Sequence, residues 1–461
     1  MTARGLLLIA AALGLAAGTP ASAERLPWPS AAPATSKSTT PPGRRATPAK
    51  KPALPPPIAF FVAKGDANAC GPGCREWIAA DGTIDDGAAA RLRALLKKLG
   101  GRKLPIFFHS PGGAVPTGLA IGRLMRQHGL TAGVGWTVPA GCDANQQQEP
   151  ACDKLKRSGR DLVAVLESGS HTMCNSACVY ALVGAAVREV GAGVQLGVHS
   201  SAISFTLQRT DAEGRVTRTP AHVAASVERK ALESGYVKIS AYLREMGISQ
   251  GLLASARAVE NSELNFLTRE QVVAFGIDRR EAVEGIWWYA DQLAGPSAVK
   301  IIEENRAGAF RKDILRLTCL DASTLRLEYG RDLGADTAHS SARLRVTASG
   351  GSFLLGSPFK ATTSGSRDLL DVRSVDLPIS LLGEAAFIIE SAEAAASAAP
   401  SAAIQAGKGT VGDLTGLSAQ SPATPAPRMT VQGAGSGLGE LARRCRSGPH
   451  SPRPGVPTQH I

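Results

Sequence analysis

Leu104-Pro105-Ile106-Phe107-Phe108-His109-Ser110-Pro111-Gly112-Gly113 begins as an apolar run and ends as a turn. Leu104 to Phe108 is short and rich in branched and aromatic side chains, the composition of a buried strand. Ser110-Pro111-Gly112-Gly113 is a turn signal, because Pro presets φ and glycine reaches positive φ without a Cβ penalty. From Val115 to His128 the apolar residues return at helical spacing. Strand, tight turn and helix in this order form half of a βαβ unit, and the same grammar extends in both directions.

Upstream, Ile58 to Val62 is a short buried-strand run, and Asp86 to Leu99 sets Ala89, Leu92, Leu95, Leu96 and Leu99 at helical intervals with Lys97 and Lys98 near the end. Downstream, Thr131 to Trp136 reads as a strand, Val163 to Glu167 as a weaker one, and Ala177 to Val187 as a buried helix. Gly193 to His199 is a further strand, Thr219 to Met246 a long helical region, and Thr268 to Phe275 a short helix stopped by Gly276. Short strands alternating with helices predict an α/β domain with a mostly parallel sheet over residues 58–295.

Three segments of this domain carry candidate chemistry. The Gly112-Gly113 pair lets the backbone turn and present N–H groups, which is how an oxyanion hole is made; the plain alternative is an ordinary strand-to-helix turn. In Cys174-Asn175-Ser176-Ala177-Cys178, a serine stands at the start of an apolar small-residue helix, where unpaired N–H groups and the macrodipole favour negative charge. The same place suits a helix cap, so Ser176 has a structural reading beside the nucleophilic one. In Leu196-Gly197-Val198-His199-Ser200, a strand delivers a histidine at its C-terminal end, the edge where open α/β sheets bind ligands. His109 and His171 lie near these motifs in sequence without being placed by them.

Taken in order, Gly-turn, serine at a helix start and histidine after a strand resemble the proteolytic subunit of the Clp protease, within the Clp/crotonase fold. The likeness spans roughly residues 58 to 290 and points to periplasmic Clp-like proteins with a signal peptide and a Cys-x-Ser-x-Cys core. It implies Ser176 as nucleophile, His199 as general base, and an oxyanion hole of Gly112 or Gly113 with the N–H of Ala177. It further implies a peptide or protein substrate and no cofactor. Gly276-Ile277-Asp278 is similar to the segment that follows the family's catalytic acid. The departures are specific: cysteines flank Ser176, residues 137–160 form an insertion holding Cys142 and Cys152, and the acid is not evident. Glu260-Asn261-Ser262-Glu263 occupies its region, so Glu263 or Glu260 is the candidate to orient His199, with an acid-free dyad as the alternative. Ring-docking features are not recognisable, which leaves the oligomeric state open.

The flanks describe export. Met1-Thr2-Ala3-Arg4, an apolar run from Gly5 to Gly18 and Ala21-Ser22-Ala23 have the three parts of a secretory signal peptide over residues 1–23, the alternative being an uncleaved anchor. The apolar run is short for a bilayer, which takes roughly 20 residues. Residues 24–57 are a Pro-rich linker ending in Pro55-Pro56-Pro57. A periplasmic or secreted location suits the 8 cysteines, an even number. Proximity along the chain pairs Cys70 with Cys74, Cys142 with Cys152 and Cys174 with Cys178, and leaves Cys319 with Cys445. Buried thiols remain the alternative for Cys174 and Cys178, and no Cys/His sets are arranged as a zinc site.

Lys and Arg exceed Asp and Glu by a net charge of +12, spread along the chain without a long block. That balance leaves peripheral contact with an anionic membrane open. Zinc-finger spacing, a phosphate loop and stacking aromatics are all missing, so no nucleic-acid partner is expected. After the α/β domain, residues 300–390 form a small β-rich region, residues 391–427 are low-complexity, and residues 428–461 hold a terminal segment with a helix from Leu438 to Cys445 and a Pro/Ser-rich tail. The function expected is an exported serine hydrolase or peptidase. A non-catalytic envelope scaffold on the same fold is the competing class. A Ser/Lys dyad using Lys230 or Lys238 is a further variant, placed by no motif. A crotonase-like acyl-CoA reaction conflicts with export.

Overall fold

The computed structural model describes residues 56–446, apart from 67, 72, 143–146, 148, 170, 204, 293–294, 307, 333–342, 349–350, 358, 363–368, 384–385, 392–427 and 433–435. The expected signal peptide, most of the linker, the low-complexity segment and the final tail lie outside the described residues.

The first half is a mixed α/β unit with a mostly parallel sheet. Its elements are β1 (Ala59–Lys64), β2 (Glu76–Asp81), α1 (Ala88–Lys98), β3 (Ile106–His109), α2 (Val115–Gln127), β4 (Thr131–Val134), β5 (Trp136–Pro139), α3 (Pro150–Lys156), β6 (Leu162–Glu167), β7 (Met173–Asn175), α4 (Ala177–Val183) and β8 (Val187–Glu189). Seven strands run in the order β5-β6-β1-β2-β3-β4-β8. The β6–β1, β2–β3, β3–β4 and β4–β8 pairs are parallel, and β1–β2 and β5–β6 antiparallel. Both faces are covered, which is why β1 reads as a continuous apolar run, and Trp77 to Ala80 of β2, a strand not foreseen, are buried without a break. Ile78 and Ala80 face one core with Ile106, Phe108 and Leu92, while Trp77 and Ala79 face another with Phe61, Ala164 and Leu166. Helix α1 buries Ala88, Leu92 and Leu96, one stripe at four-residue intervals.

Two expected elements come apart. The strand foreseen over 131–136 is broken at Gly135, so that β4 pairs with β3 and β8 while β5 pairs with β6. The helix foreseen from Thr219 begins only at Ala225, because Val216–Ala221 belongs to an antiparallel hairpin. Val216, Thr217 and Thr219 are β-branched, and Pro220 cannot sit inside a helix without losing a hydrogen bond. The elements here are β9 (Gln195–Val198), β10 (Phe205–Thr210), β11 (Val216–Ala221), α5 (Ala225–Glu245), α6 (Gly251–Arg257), β12 (Asn265–Phe266) and α7 (Arg269–Ala274). A second, three-stranded sheet orders β12-β9-β7. Helix α7 starts with a capping box between Thr268 and Gln271, as the Thr-x-x-Gln spacing favours.

From Ala282 the described residues are mostly in strands: β13 (Ala282–Glu284), β14 (Trp288–Gln292), β15 (Gly295–Arg306), β16 (Ala309–Cys319), β17 (Thr324–Asp332), β18 (Leu344–Ala348), β19 (Gly351–Leu354), β20 (Phe359–Thr362), β21 (Leu369–Pro378), β22 (Ala386–Ser391) and β23 (Arg428–Gln432), then α8 (Ser436–Arg446). One antiparallel sheet orders β13-β15-β16-β17-β21-β20 with β14 also on β15; the other orders β19-β18-β22-β23. Leu438, Leu441 and Cys445 of α8 close over Trp287. Among the described residues no helix is long and apolar enough to cross a membrane.

All four expected cysteine pairs lie at disulfide distance, with Cα–Cα separations of 5.1 Å (Cys70–Cys74), 5.7 Å (Cys142–Cys152), 5.2 Å (Cys174–Cys178) and 5.6 Å (Cys319–Cys445, the pair left by elimination). This is compatible with an extracellular or periplasmic protein.

Candidate active site

The Gly-turn and the serine are brought together by backbone pairing. Beyond β3, Ser110 N donates to Met173 O (2.9 Å) and Asn175 N donates to Ser110 O (3.0 Å), so the turn strand runs beside β7. Ser176 follows β7 at φ 53° and ψ −119°, a conformation costly for a residue with a Cβ. It starts α4, yet its side chain caps no helix N–H. Its own N–H is taken by Gly197 O at 2.7 Å, while Ala177 N, at the first helical position, has no acceptor among the described residues. Cys174 and Cys178 are fully buried and bridge across Ser176, tying β7 to the first turn of α4.

Gly112 and Gly113 play different parts. Gly112 has φ 104°, and a Cβ on it would stand 2.6 Å from Asn175 O and 2.8 Å from Ser176 Cβ. Its absent side chain is what lets the turn approach the serine. The Gly112 N–H is occupied by Ser110 Oγ at 3.1 Å. Gly113, at φ 138°, has an N–H without an acceptor among the described residues. Of the two glycines, Gly113 is therefore the one able to donate to a ligand, beside Ala177.

His199 is carried by β9, parallel to β7 with Asn175 opposite Gly197. Asn175 Oδ1 accepts from Gly197 N at 3.0 Å, and this buried clamp, with the Ser176–Gly197 bond, holds the histidine strand against the serine strand. No hydrogen bond joins Ser176 Oγ to His199 among the described residues. The group on the imidazole is Asn261, whose Nδ2 lies 2.9 Å from His199 Nδ1 and donates to Ser200 O at 2.7 Å. Among the described residues neither Glu263 nor Glu260 bonds to His199; Glu263 N instead donates to Glu260 O at 3.0 Å within the backbone. Their region is delivered to the histidine because β12 pairs antiparallel with β9, but the turn presents the amide rather than a carboxylate. The sequence signal for Asn261 was its position between the two glutamates; the direction in which the turn points it was not in the sequence.

The other candidates do different work. His109 stacks on Trp136 with centroids 5.0 Å apart and accepts from Met173 N at Nδ1 over 3.4 Å. Burial, with a smaller push from His171, drives its pKa down to about 3, so it is a neutral spacer between β3 and β7. His171 bonds to Glu167 at 3.0 Å. Asp278 is a bolt: burial pushes its carboxyl up, but Arg280 more than offsets this and holds it below the usual range, and Val190 N donates to it at 2.8 Å. Lys230 and Lys238 are exposed on α5. Lys156, in the insertion, is buried against Asp81 and donates to Gln147 O at 3.1 Å. Among the described residues no cluster of His, Cys, Asp and Glu is arranged to hold a metal.

No family model matches the chain, and no curated protein matches it. Among solved structures, a mutant ClpP1 from Listeria monocytogenes is similar at 15% identity and a TM-score of 0.26, over 43% of this chain and 85% of that one. A likeness at that score carries no argument about activity.

Proposed function

We propose that this protein is an exported serine hydrolase acting on peptide or acyl bonds, with Ser176 as nucleophile and His199 as general base. The observation that carries the reading is the serine's setting. A strained, uncapped Ser176 starts a buried helix, with the open N–H groups of Ala177 and Gly113 nearby in the chain's pairing pattern. Ser176 Oγ attacks the carbonyl as His199 takes its proton. The proton then passes to the leaving group, and water attacks the acyl-enzyme by the reverse route. Gly113 N–H and Ala177 N–H receive the developing oxyanion, each donor contributing about 3 kcal/mol. Asn261, and neither Glu263 nor Glu260, stands at His199 Nδ1. Export is supported by residues 1–23 and by the four cysteine pairs.

A second reading, a non-catalytic envelope scaffold, is favoured by one observation: the missing Ser176–His199 hydrogen bond. The two separate in a fluorophosphonate experiment on the oxidised mature chain. Covalent label on the parent, lost in Ser176→Ala and slowed in His199→Ala, is the expected result. A folded, oxidised chain that takes up no label even after prolonged exposure removes the hydrolase reading and leaves the scaffold.

A further inference from the structure

Asn261 makes two contacts through one nitrogen. Ser200 O can only accept, so it must face the amide NH2 and not the amide oxygen. The same Nδ2 lies 2.9 Å from His199 Nδ1. Its second N–H therefore points at that ring nitrogen, which must accept, and in a neutral imidazole the proton then sits on Nε2. A general base for Ser176 needs the opposite tautomer, with Nδ1 protonated and Nε2 carrying the lone pair.

We infer that Asn261 is a positioning residue that holds His199 in the unproductive Nε2–H tautomer, so that the resting protein is a latent hydrolase. The inference rests on the Ser176–His199 reading and adds its regulation. Asn261 opposes catalysis twice. It stabilises the wrong neutral tautomer, and it offers an N–H where the imidazolium of the transition state needs an acceptor. In serine-protease triads an amide at this place costs about 10⁴-fold in turnover for the first of these reasons. Release requires the amide to turn its oxygen onto Nδ1, which breaks the bond to Ser200 O. Residue 261 lies in an exposed turn between α6 and β12, where such a rotation meets little packing.

The test has two arms. In the full oxidised chain labelled with ¹⁵N at histidine, long-range ¹H–¹⁵N spectra report the His199 tautomer, with the signal assigned by its loss in His199→Gln. Nε2–H is expected, and Nδ1–H overturns the inference. In the second arm, fluorophosphonate labelling of Ser176 is timed for the parent, Asn261→Asp and Asn261→Ala. A carboxylate accepts from Nδ1–H, so Asn261→Asp is expected to label at least about tenfold faster than the parent. Asn261→Ala, which only frees Nδ1, is expected to label no slower than the parent. A folded Asn261→Ala slower than the parent, or a folded Asn261→Asp no faster, overturns the inference, because the amide would then be supporting the productive geometry. Should the spectra show Nε2–H while no variant labels, the tautomer assignment stands and the hydrolase reading itself is what fails.

Discussion

At the residue scale the site depends on what is missing from Gly112 and on what is hidden at His109. A methyl group at Gly112 would have to push Asn175 O or Ser176 Cβ aside, and neither is the far end of a flexible side chain. Gly112→Ala is therefore expected to slow Ser176 labelling by about 10²-fold, the cost of a displacement near 1 Å. Urea unfolding run alongside separates this from a loss of fold. His109 makes the opposite kind of contribution. Its folded pKa of about 3 lies below the ordinary 6.5, so between those values the unfolded chain binds the proton and the folded one does not. The stability due to neutral His109 is whole above pH 6.5 and is lost as the pH falls toward 3. The urea midpoint of the parent should drop more steeply over that window than that of His109→Gln, while the two slopes agree above it.

At the scale of elements, the two disulfides that matter most act on very different lengths of chain. Cys174–Cys178 closes a separation of 4 residues and Cys319–Cys445 one of 126. If cross-links act mainly by restricting the unfolded chain, removing the first costs about 2 kcal/mol and the second about 5 kcal/mol. The order reverses for activity. The short bridge holds β7 to α4 around a strained Ser176, so the Cys174→Ala/Cys178→Ala pair should lose labelling even where the chain is fully folded. The Cys319→Ala/Cys445→Ala pair frees α8 from β16 and should lower the melting temperature with little change in the labelling rate of the folded fraction. Denaturation and labelling measured on the same samples check both.

At the scale of the whole molecule, the C-terminal strands are bolted to the α/β unit rather than appended to it. Arg269 of α7 is buried between Asp278 and Glu303 of β15, and donates to Val190 O at 2.8 Å. Glu303 also accepts from Gly193 N at 3.2 Å, just ahead of β9, and Ile301 packs with Ala192 and Val283. Burial lowers the Arg269 pKa, while Glu303 and Asp278 act against that shift. Removing Glu303 leaves Asp278 and Val190 O as the remaining partners of the buried Arg269 charge, so Glu303→Ala should cost roughly 1–3 kcal/mol, seen as a lower urea midpoint for the full chain. A chain ending before Ala282 would expose the same arginine and the Ala192–Gly193 corner together, and is expected to lack the cooperative unfolding of the intact protein.

The α/β layering was legible because its causes are local. Apolar runs of strand length, helical spacings such as Leu92 and Leu96, and turn glycines act over a few residues, as does the pairing of close cysteines. Ser176, His199 and the Gly-turn were legible for the same reason, each marked by the element that ends or begins at it. What tertiary structure alone decided was every choice between near equivalents. Gly113 rather than Gly112 keeps an open N–H because Ser110 Oγ reaches Gly112, and Asn261 rather than Glu263 meets His199 because β12 pairs with β9 in one register. Gly135 sends β5 to β6, away from β4, and Pro220 lies in a hairpin strand where a helical pattern had run on. A hydrogen bond depends on the direction of a backbone vector, and that vector is set by pairing between strands distant in the chain, which composition and spacing do not encode.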